Sequence, residues 1–219
     1  DIRQLVEVGS DLNQTIYAHQ DGSLIKAGRG DDIIKGYHGN DRLYGEDGDD
    51  WIDGGFGNDI ISGGTGNDYL RGGRGSDTYL FNRGDGQDFI ECGDNYGSES
   101  DIFQLGDGIR TEAVTIGFSD NGLTLSFGDG GDSVTLSRYD NFGEIHFADG
   151  TVWRQIDINQ KVADLLQETQ HLINAGDSGG ETRGTEFDDI IYGGAGEDTL
   201  LGGVGDDRLF GFGGNDVLH

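Results

Sequence analysis

The chain has 219 residues, of which 43 are Gly, 42 are Asp or Glu and 14 are Lys or Arg, with no Pro or Met and a formal charge of −28. So acidic a chain repels phosphate backbones, which excludes nucleic-acid binding through a basic surface, and abundant Gly without Pro excludes collagen. The single Cys, Cys92, excludes an internal disulfide, and no apolar run reaches the ~18 residues of a membrane span or opens the chain as a signal peptide.

A chain that starts at Asp1 and lacks Met reads as a piece of a longer one. Its acidity alone would suit a disordered polyelectrolyte, but its periodicity does not. Residues 1–26 form degenerate blocks that serve as an N-terminal coil or cap. From Ala27 the chain repeats in nines: AGRGDDIIK, GYHGNDRLY, GEDGDDWID, GGFGNDIIS, GGTGNDYLR and GGRGSDTYL. Each block has Gly at its first or fourth place, an Asp at its sixth and an apolar residue at its eighth. The sixth places are Asp32, Asp41, Asp50, Asp59, Asp68 and Asp77. This first array is assigned to residues 27–91, because RGDGQDFIE from Arg83 repeats the pattern after a two-residue insertion.

After Ile90 the period stops. Residues 92–156 alternate apolar and polar around Asn121-Gly122, a hairpin signal. They predict about four antiparallel strands with Phe118, Leu123, Leu125, Val134, Leu136, Ile145, Phe147 and Trp153 in the core. Ile158, Val162, Leu165, Leu166, Leu172 and Ile173 then follow helical spacing, predicting a helix over 157–176 with Asp157 as N-cap and Gly176 as stop. Residues 176–183, GDSGGETR, read as a flexible connection. The nine-residue register returns at Gly184 with GTEFDDIIY, GGAGEDTLL, GGVGDDRLF and GFGGNDVLH, and its sixth places are Asp189, Asp198, Asp207 and Asp216. Asp fills 32 of the 219 places, about one in seven, so ten sixth-place matches in ten blocks are not a product of composition.

In each block the Gly/Asp stretch suits a turn needing positive φ, and the following three residues suit a short strand whose middle residue faces inward. Two blocks make one coil. Stacked coils put Ile34, Ile52 and Leu70 in one inner ladder and Leu43, Ile61 and Tyr79 in the other, extended backwards through Ile16 and Ile25. Two buried aliphatic side chains per coil cannot offset the entropy of ordering its whole backbone, and stacking aligns carboxylates of like charge. A divalent cation between turns answers both problems. Carboxylates with backbone carbonyls form a hard oxygen set that favours Ca²⁺ over Zn²⁺, copper or Mg²⁺.

Blocks such as GGTGNDYLR and GGAGEDTLL resemble the glycine-rich nonapeptide of the RTX (repeats-in-toxin) family. The resemblance implies an all-β fold: a calcium-binding parallel β-roll in two blocks, separated by a β-rich capping module and one α-helix. DTYLFNRGDGQDFI and EIHFADGTVW resemble the non-repetitive module that follows such blocks and caps the roll. The family's Ca²⁺ lies between a turn and the second turn after it. The first gives the carbonyls of its second and fourth places with its Asp; the later gives those of its first and third places with its Asp. Carried onto this chain, the resemblance implies a site from Gly28, Gly30, Asp32, Gly45, Asp47 and Asp50, and another from Tyr37, Gly39, Asp41, Gly54, Phe56 and Asp59. A third takes Glu46, Gly48, Asp50, Gly63, Thr65 and Asp68, and a fourth Gly55, Gly57, Asp59, Gly72, Arg74 and Asp77. A fifth pairs Gly64, Gly66 and Asp68 with Arg83, Asp85 and Asp88. In the second array Thr185, Phe187 and Asp189 meet Gly202, Val204 and Asp207, with distortion expected because Phe187 replaces Gly. Gly194, Gly196 and Asp198 meet Gly211, Gly213 and Asp216. About seven Ca²⁺ would halve the formal charge.

No catalytic motif stands out. GDSGG at Gly176–Gly180 matches the string around the nucleophile of chymotrypsin-like proteases, but no upstream segment offers the histidine base. His19, His38, His146, His171 and His219 lack the spacing of a zinc protease. Thr65 stands nearly alone, so no threonine ladder for ice exists, and without Pro there is no Asp-Pro bond for self-cleavage. The chain therefore reads as the non-enzymatic, calcium-binding RTX region of a secreted, extracellular bacterial toxin or exoprotein, a monomer disordered without Ca²⁺. It would fold at the ~10⁻⁴–10⁻³ M Ca²⁺ of extracellular modules after export by type I secretion machinery. The competing reading is a module of an RTX adhesin or cytolysin that binds a host-cell receptor or glycan through Tyr37, Tyr44 and Trp51.

Overall fold

The computed structural model describes residues 5–92, 100–119, 121–137, 143–169 and 171–219. It is an all-β parallel solenoid with one helix among the described residues, in two compact units, Asp1–Ile158 and Asn159–His219. The strands of the first unit are β1 (Leu5–Ser10), β2 (Thr15–Tyr17), β3 (Leu24–Arg29), β4 (Ile33–Lys35), β5 (Arg42–Asp47), β6 (Trp51–Phe56), β7 (Ile60–Thr65) and β8 (Tyr69–Arg74). Then come β9 (Thr78–Phe81), β10 (Gln87–Ile90), β11 (Ile102–Leu105), β12 (Val114–Ser119), β13 (Gly122–Phe127), β14 (Ser133–Leu136), β15 (Glu144–His146) and β16 (Val152–Arg154).

Successive blocks alternate between two sheets, as a two-block coil demands. One sheet runs β1-β3-β5-β7-β9-β11-β15-β16 and the other β12-β13-β14-β10-β8-β6-β4-β2. In the first, Ile25, Leu43, Ile61, Tyr79, Phe103 and Ile145 stand directly opposite one another. In the second, Ile16, Ile34, Ile52, Leu70, Ile90 and Leu136 do. All are buried. Both inner ladders deduced from the eighth places are therefore present, each side chain contributing ~1.5–3 kcal/mol of burial.

The module after the first array extends the roll while closing it. β14 pairs parallel with β10 and β11 with β9, while β12-β13-β14 and β15-β16 are antiparallel. The period thus survives the apparent stop at Ile90: β11 is a roll strand displaced by an insertion. Leu123, Leu125, Val134, Leu136, Ile145, Phe147 and Trp153 are buried as expected; the Phe118 side chain lies outside the described residues. Ser119 and Gly122 form the last pair of the β12–β13 ladder, so Gly122 opens β13.

Helix α1 (Gln155–Thr169) starts two residues earlier than its spacing predicts and stops well short of Gly176. Asp157 is the third helical residue, its carboxylate accepting from the Arg154 N–H at 2.9 Å, so it closes the capping turn from inside and is not the N-cap. Ile158 and Val162 are buried; the side chains of Leu165, Leu166 and Leu172 lie outside the described residues. No described helix is long and apolar enough to cross a membrane.

The second unit has β17 (His171–Asn174), β18 (Gly180–Arg183), β19 (Asp189–Tyr192), β20 (Asp198–Leu201), β21 (Arg208–Phe210) and β22 (Val217–Leu218). Its sheets run β17-β19-β21 and β18-β20-β22, all parallel. Segments read as helix end and flexible connection are instead strands. Ile173 stands opposite Ile191 and Thr182 opposite Leu200, so residues 171–183 form a worn first coil whose blocks lost the sixth-place Asp.

Candidate metal centre

Eight of the ten sixth-place aspartates are the best-buried charged groups among the described residues. Asp32, Asp41, Asp50, Asp59, Asp68, Asp77, Asp189 and Asp198 are each at most 2% exposed. A backbone N–H one coil earlier holds each ladder carboxylate. Gln14 N–H donates to Asp32 Oδ1, Asp32 to Asp50, and Asp50 to Asp68, at 2.7–2.8 Å. On the other edge Ser23 donates to Asp41, Asp41 to Asp59 and Asp59 to Asp77, at 2.6–2.8 Å. The second oxygen, Oδ2, of Asp32, Asp41, Asp50, Asp59 and Asp68 is buried and receives no hydrogen bond. Such an oxygen costs about 1–3 kcal/mol, more when charged. Burial pushes the carboxyls up: Asp41 and Asp68 to about 6, Asp50 and Asp59 to about 7 and Asp88 to about 8, with neighbouring aspartates adding repulsion at Asp50, Asp59, Asp68 and Asp88. Asp32 and Asp85 are also raised by burial.

The first-place glycines follow from this geometry. A Cβ on Gly63 would lie 1.8 Å from Asp68 Oδ2, so the free oxygen occupies the space of the missing side chain. Second and fourth places are left-handed: Gly28, Tyr37, Glu46 and Gly55 at the second, Gly30, Gly39, Gly48 and Gly57 at the fourth, with φ from 65° to 137°. Their carbonyls face the turn two blocks on. A Cβ on Gly48 would meet the Gly30 oxygen at 2.2 Å, on Gly64 the Glu46 oxygen at 2.0 Å, and on Gly73 the Gly55 oxygen at 2.2 Å. Third-place carbonyls accept one bond each, Asp47 from Gly30, Phe56 from Gly39, Thr65 from Gly48 and Arg74 from Gly57, at 2.8–2.9 Å. Each keeps a second lone pair. Among the described residues no three carboxylate, imidazole or thiolate side chains converge. The donors are carbonyls with carboxylates in pairs, which fits a flexible, hard-oxygen Ca²⁺ shell.

The expected residues are not equally regular. Gly28 to Asp77 in the first four sets keep one register. At the fifth, Gly66 bridges Gly86 and Asp68 N–H donates to Asp88 Oδ1 at 3.1 Å, so the insertion is absorbed. There Gly84 faces nothing within 4 Å, and Asp85 Oδ2 accepts from Asn82 N–H at 2.7 Å, so the Gly64/Arg83 side of that set is opened. The Thr185–Asp207 set is distorted as Phe187 suggests: Phe187 is not left-handed, and Asp189 Oδ2 accepts from Thr185 N–H at 2.6 Å. In the last set the Gly196 oxygen faces Gly214, and both Asp198 oxygens are buried without a hydrogen bond, while Gly202, Val204, Gly211, Gly213 and the half-buried Asp216 and Asp207 lie on the open final coil. Of the residues offered for recognition, Tyr37 is exposed, whereas Tyr44 and Trp51 are half-buried.

Two groups escaped the sequence reading. Asp101 continues the ladder, accepting from Asp77 N–H at 2.9 Å across an insertion; the signal was Ser100-Asp101-Ile-Phe echoing Ser76-Asp77-Thr-Tyr. The fifth places form a counter-ladder. Asp49 N–H donates to Asp31 Oδ1, Asn58 to Asn40, Asn67 to Asp49 and Ser76 to Asn58, at 2.7–3.1 Å.

The family model "RTX calcium-binding nonapeptide repeat" matches four times, at residues 20–52, 44–79, 53–90 and 183–219, which are the turns just described. The chain is an RTX repeat protein. The model "Haemolysin-type calcium binding protein related domain" matches residues 123–156, the antiparallel part that closes the first RTX roll. No curated protein matches the chain. Among solved structures, the AlgE6R3 subunit of the Azotobacter vinelandii mannuronan C5-epimerase matches at 27% identity, over 65% of this chain and 82% of that one, with a TM-score of 0.23. The extracellular lipase LipA from Serratia marcescens matches at 19% identity, over 92% of this chain and 29% of that one, with a TM-score of 0.21.

Proposed function

We propose that this RTX region is a calcium-triggered folding element of a secreted exoprotein, with about seven Ca²⁺ held by the turns. The observation that carries this reading is the row of buried, unbonded Oδ2 atoms facing carbonyls of the next turn. Metal-free, those oxygens bring a desolvation penalty at every coil. Ca²⁺ bound there would neutralise paired carboxylates and tie coil to coil. Folding energy would then be binding energy, leaving the chain disordered where free Ca²⁺ is scarce and folded outside the cell. A chain unfolded before export suits type I secretion, and no catalytic role is assigned to it. Circular dichroism at millimolar Ca²⁺ and in chelator tests the proposal; equal β content in both would sink it. A second reading, recognition of a host-cell receptor or glycan, is favoured by one observation, the exposed Tyr37 stacked on Tyr17.

A further inference from the structure

The turns alternate between the two edges of the first roll, and the edges differ in charge. Where the chain passes from the first sheet to the second, the turns AGRGDD, GEDGDD and GGTGND carry seven acids and one base. Where it returns, GYHGND, GGFGND and GGRGSD carry three acids and one base. Lys26, 3.4 Å from Glu46, and Arg29, 3.4 Å from Asp47, offset two of the extra acids. The fifth-place residues Asp31 and Asp49 are different, because their contacts are with amides.

The opposite edge has Asn40 and Asn58 at the equivalent places, and both pairs make the same bond. Asp31 and Asp49 accept from the Asp49 and Asn67 N–H groups at 3.1 and 2.7 Å; Asn40 and Asn58 accept from the Asn58 and Ser76 N–H groups at 2.9 and 3.0 Å. An amide oxygen therefore suffices for the bond, and the charge acts elsewhere. Asp31 repels the carboxylates of Asp32 and Asp50, and Asp49 repels that of Asp68. These three keep buried Oδ2 atoms without a hydrogen bond. At Asp41 and Asp59 the fifth-place neighbour is neutral, and Asp53, the outer acid that reaches Asp59, stands between Lys35 and Arg71.

We infer that the first roll holds two classes of Ca²⁺ site, one on each edge: the Asp32/Asp50 and Asp50/Asp68 sites fill first, and the Asp41/Asp59 and Asp59/Asp77 sites fill last. The inference rests on the calcium reading above. In a water-like dielectric, one carboxylate about 7 Å from a divalent ion tightens its binding about five- to tenfold. The acidic edge is then tied at low Ca²⁺, and the neutral edge sets the concentration at which the coils close. In the second array the fifth places are acidic on both edges, Asp188 and Asp206 on one and Glu197 on the other, so the division belongs to the first unit.

The test is calorimetric Ca²⁺ titration of the full chain and of two isosteric double variants that keep every fifth-place acceptor. At about 0.02 M salt, Asp31→Asn/Asp49→Asn weakens the tight class about tenfold, and Asn40→Asp/Asn58→Asp strengthens the weak class by a similar factor. About 0.5 M salt shortens the Debye length to about 4 Å and removes most of both shifts. Classes that stay in place in both variants, shifts that ignore salt, or weaker binding by Asn40→Asp/Asn58→Asp overturns the proposal. Circular dichroism on the same samples should show the parent's β content at saturating Ca²⁺ in both variants; its loss would mean that the charge serves the bond and would also overturn the proposal. A chain that folds with Ca²⁺ but whose classes do not move refutes the two edges alone, whereas one whose β content ignores Ca²⁺ refutes the folding switch.

Discussion

Replacing Gly63 with alanine should shift the calcium response of the first unit. The added Cβ lies 1.8 Å from Asp68 Oδ2 and 2.3 Å from its Cγ, where real Cβ atoms keep at least 3.0 Å from such neighbours. Gly63 is not left-handed, so the damage comes from contact and not from φ. To relieve it the carboxylate must withdraw until a separation of 3.0 Å is restored. That movement takes Oδ1 away from the Asp50 N–H it accepts from at 2.8 Å. A buried donor left without its acceptor costs about 1–3 kcal/mol, and the same carboxylate would be withdrawn from the proposed Ca²⁺ site. An effect of about 1–3 kcal/mol corresponds to about a 5- to 150-fold change in an equilibrium constant, read as the free Ca²⁺ at the midpoint of the circular-dichroism transition. Gly117→Ala is the control, because its Cβ meets nothing within 4 Å. Equal midpoints for the two variants would show that the first-place glycines do not make room for the carboxylates.

The raised carboxyls give a pH prediction. Asp50 and Asp59 sit at about 7 and Asp88 at about 8 against an ordinary 3.8, so the folded metal-free chain holds protons that the unfolded one releases. Its stability is complete below about pH 4 and is lost as pH rises toward 8; in chelator, β content should grow on acidification from pH 8 to 5, and a flat profile would contradict this. Ca²⁺ binding near pH 6.5 should release protons, measurable in buffers of different ionisation heat. Glu46 is held at φ 80°, so Glu46→Gly should stabilise the calcium-loaded chain by about 1 kcal/mol, raising its melting temperature by about 2–4 °C. Asp101→Ala removes the acceptor from the Asp77 N–H and should cost about 1–3 kcal/mol in urea unfolding, whereas Asp107→Ala, at an exposed site, should stay within about 0.5 kcal/mol.

The roll was legible because its code is local and repeated. Asp at the sixth place and an apolar residue at the eighth recur without interruption from Ala27 to Leu80, so register and inner ladders followed from spacing, whereas the proposed ligand sets needed the resemblance to the family. What spacing could not carry was the continuation of the stack through insertions. β11 comes later than the period of its neighbour β9 would place it, and β17 and β18 have lost their aspartates; these strands are specified by pairing with an existing edge and not by their own pattern. His171–Asn174 read as helix because Leu172 and Ile173 extend a helical stripe, and the edge of β19 decided otherwise. The outer row of Lys35, Asp53 and Arg71, by contrast, follows from the same spacing, since ninth places two blocks apart stand opposite one another.

The two rows of side chains at the fifth and sixth places run in opposite senses. A sixth-place Asp is completed by the coil before it, and a fifth-place Asn or Asp by the coil after it. Every interior coil is therefore half-finished until both neighbours are in place, whereas a terminal coil always lacks one. The roll behaves as a one-dimensional chain of coupled units, with a costly first coil and cheaper additions. Sharpness of response is then set by the number of consecutive coils: arrays lengthened by one coil should switch at lower Ca²⁺ and over a narrower range, and shortened ones should lose their threshold before they lose their ligands.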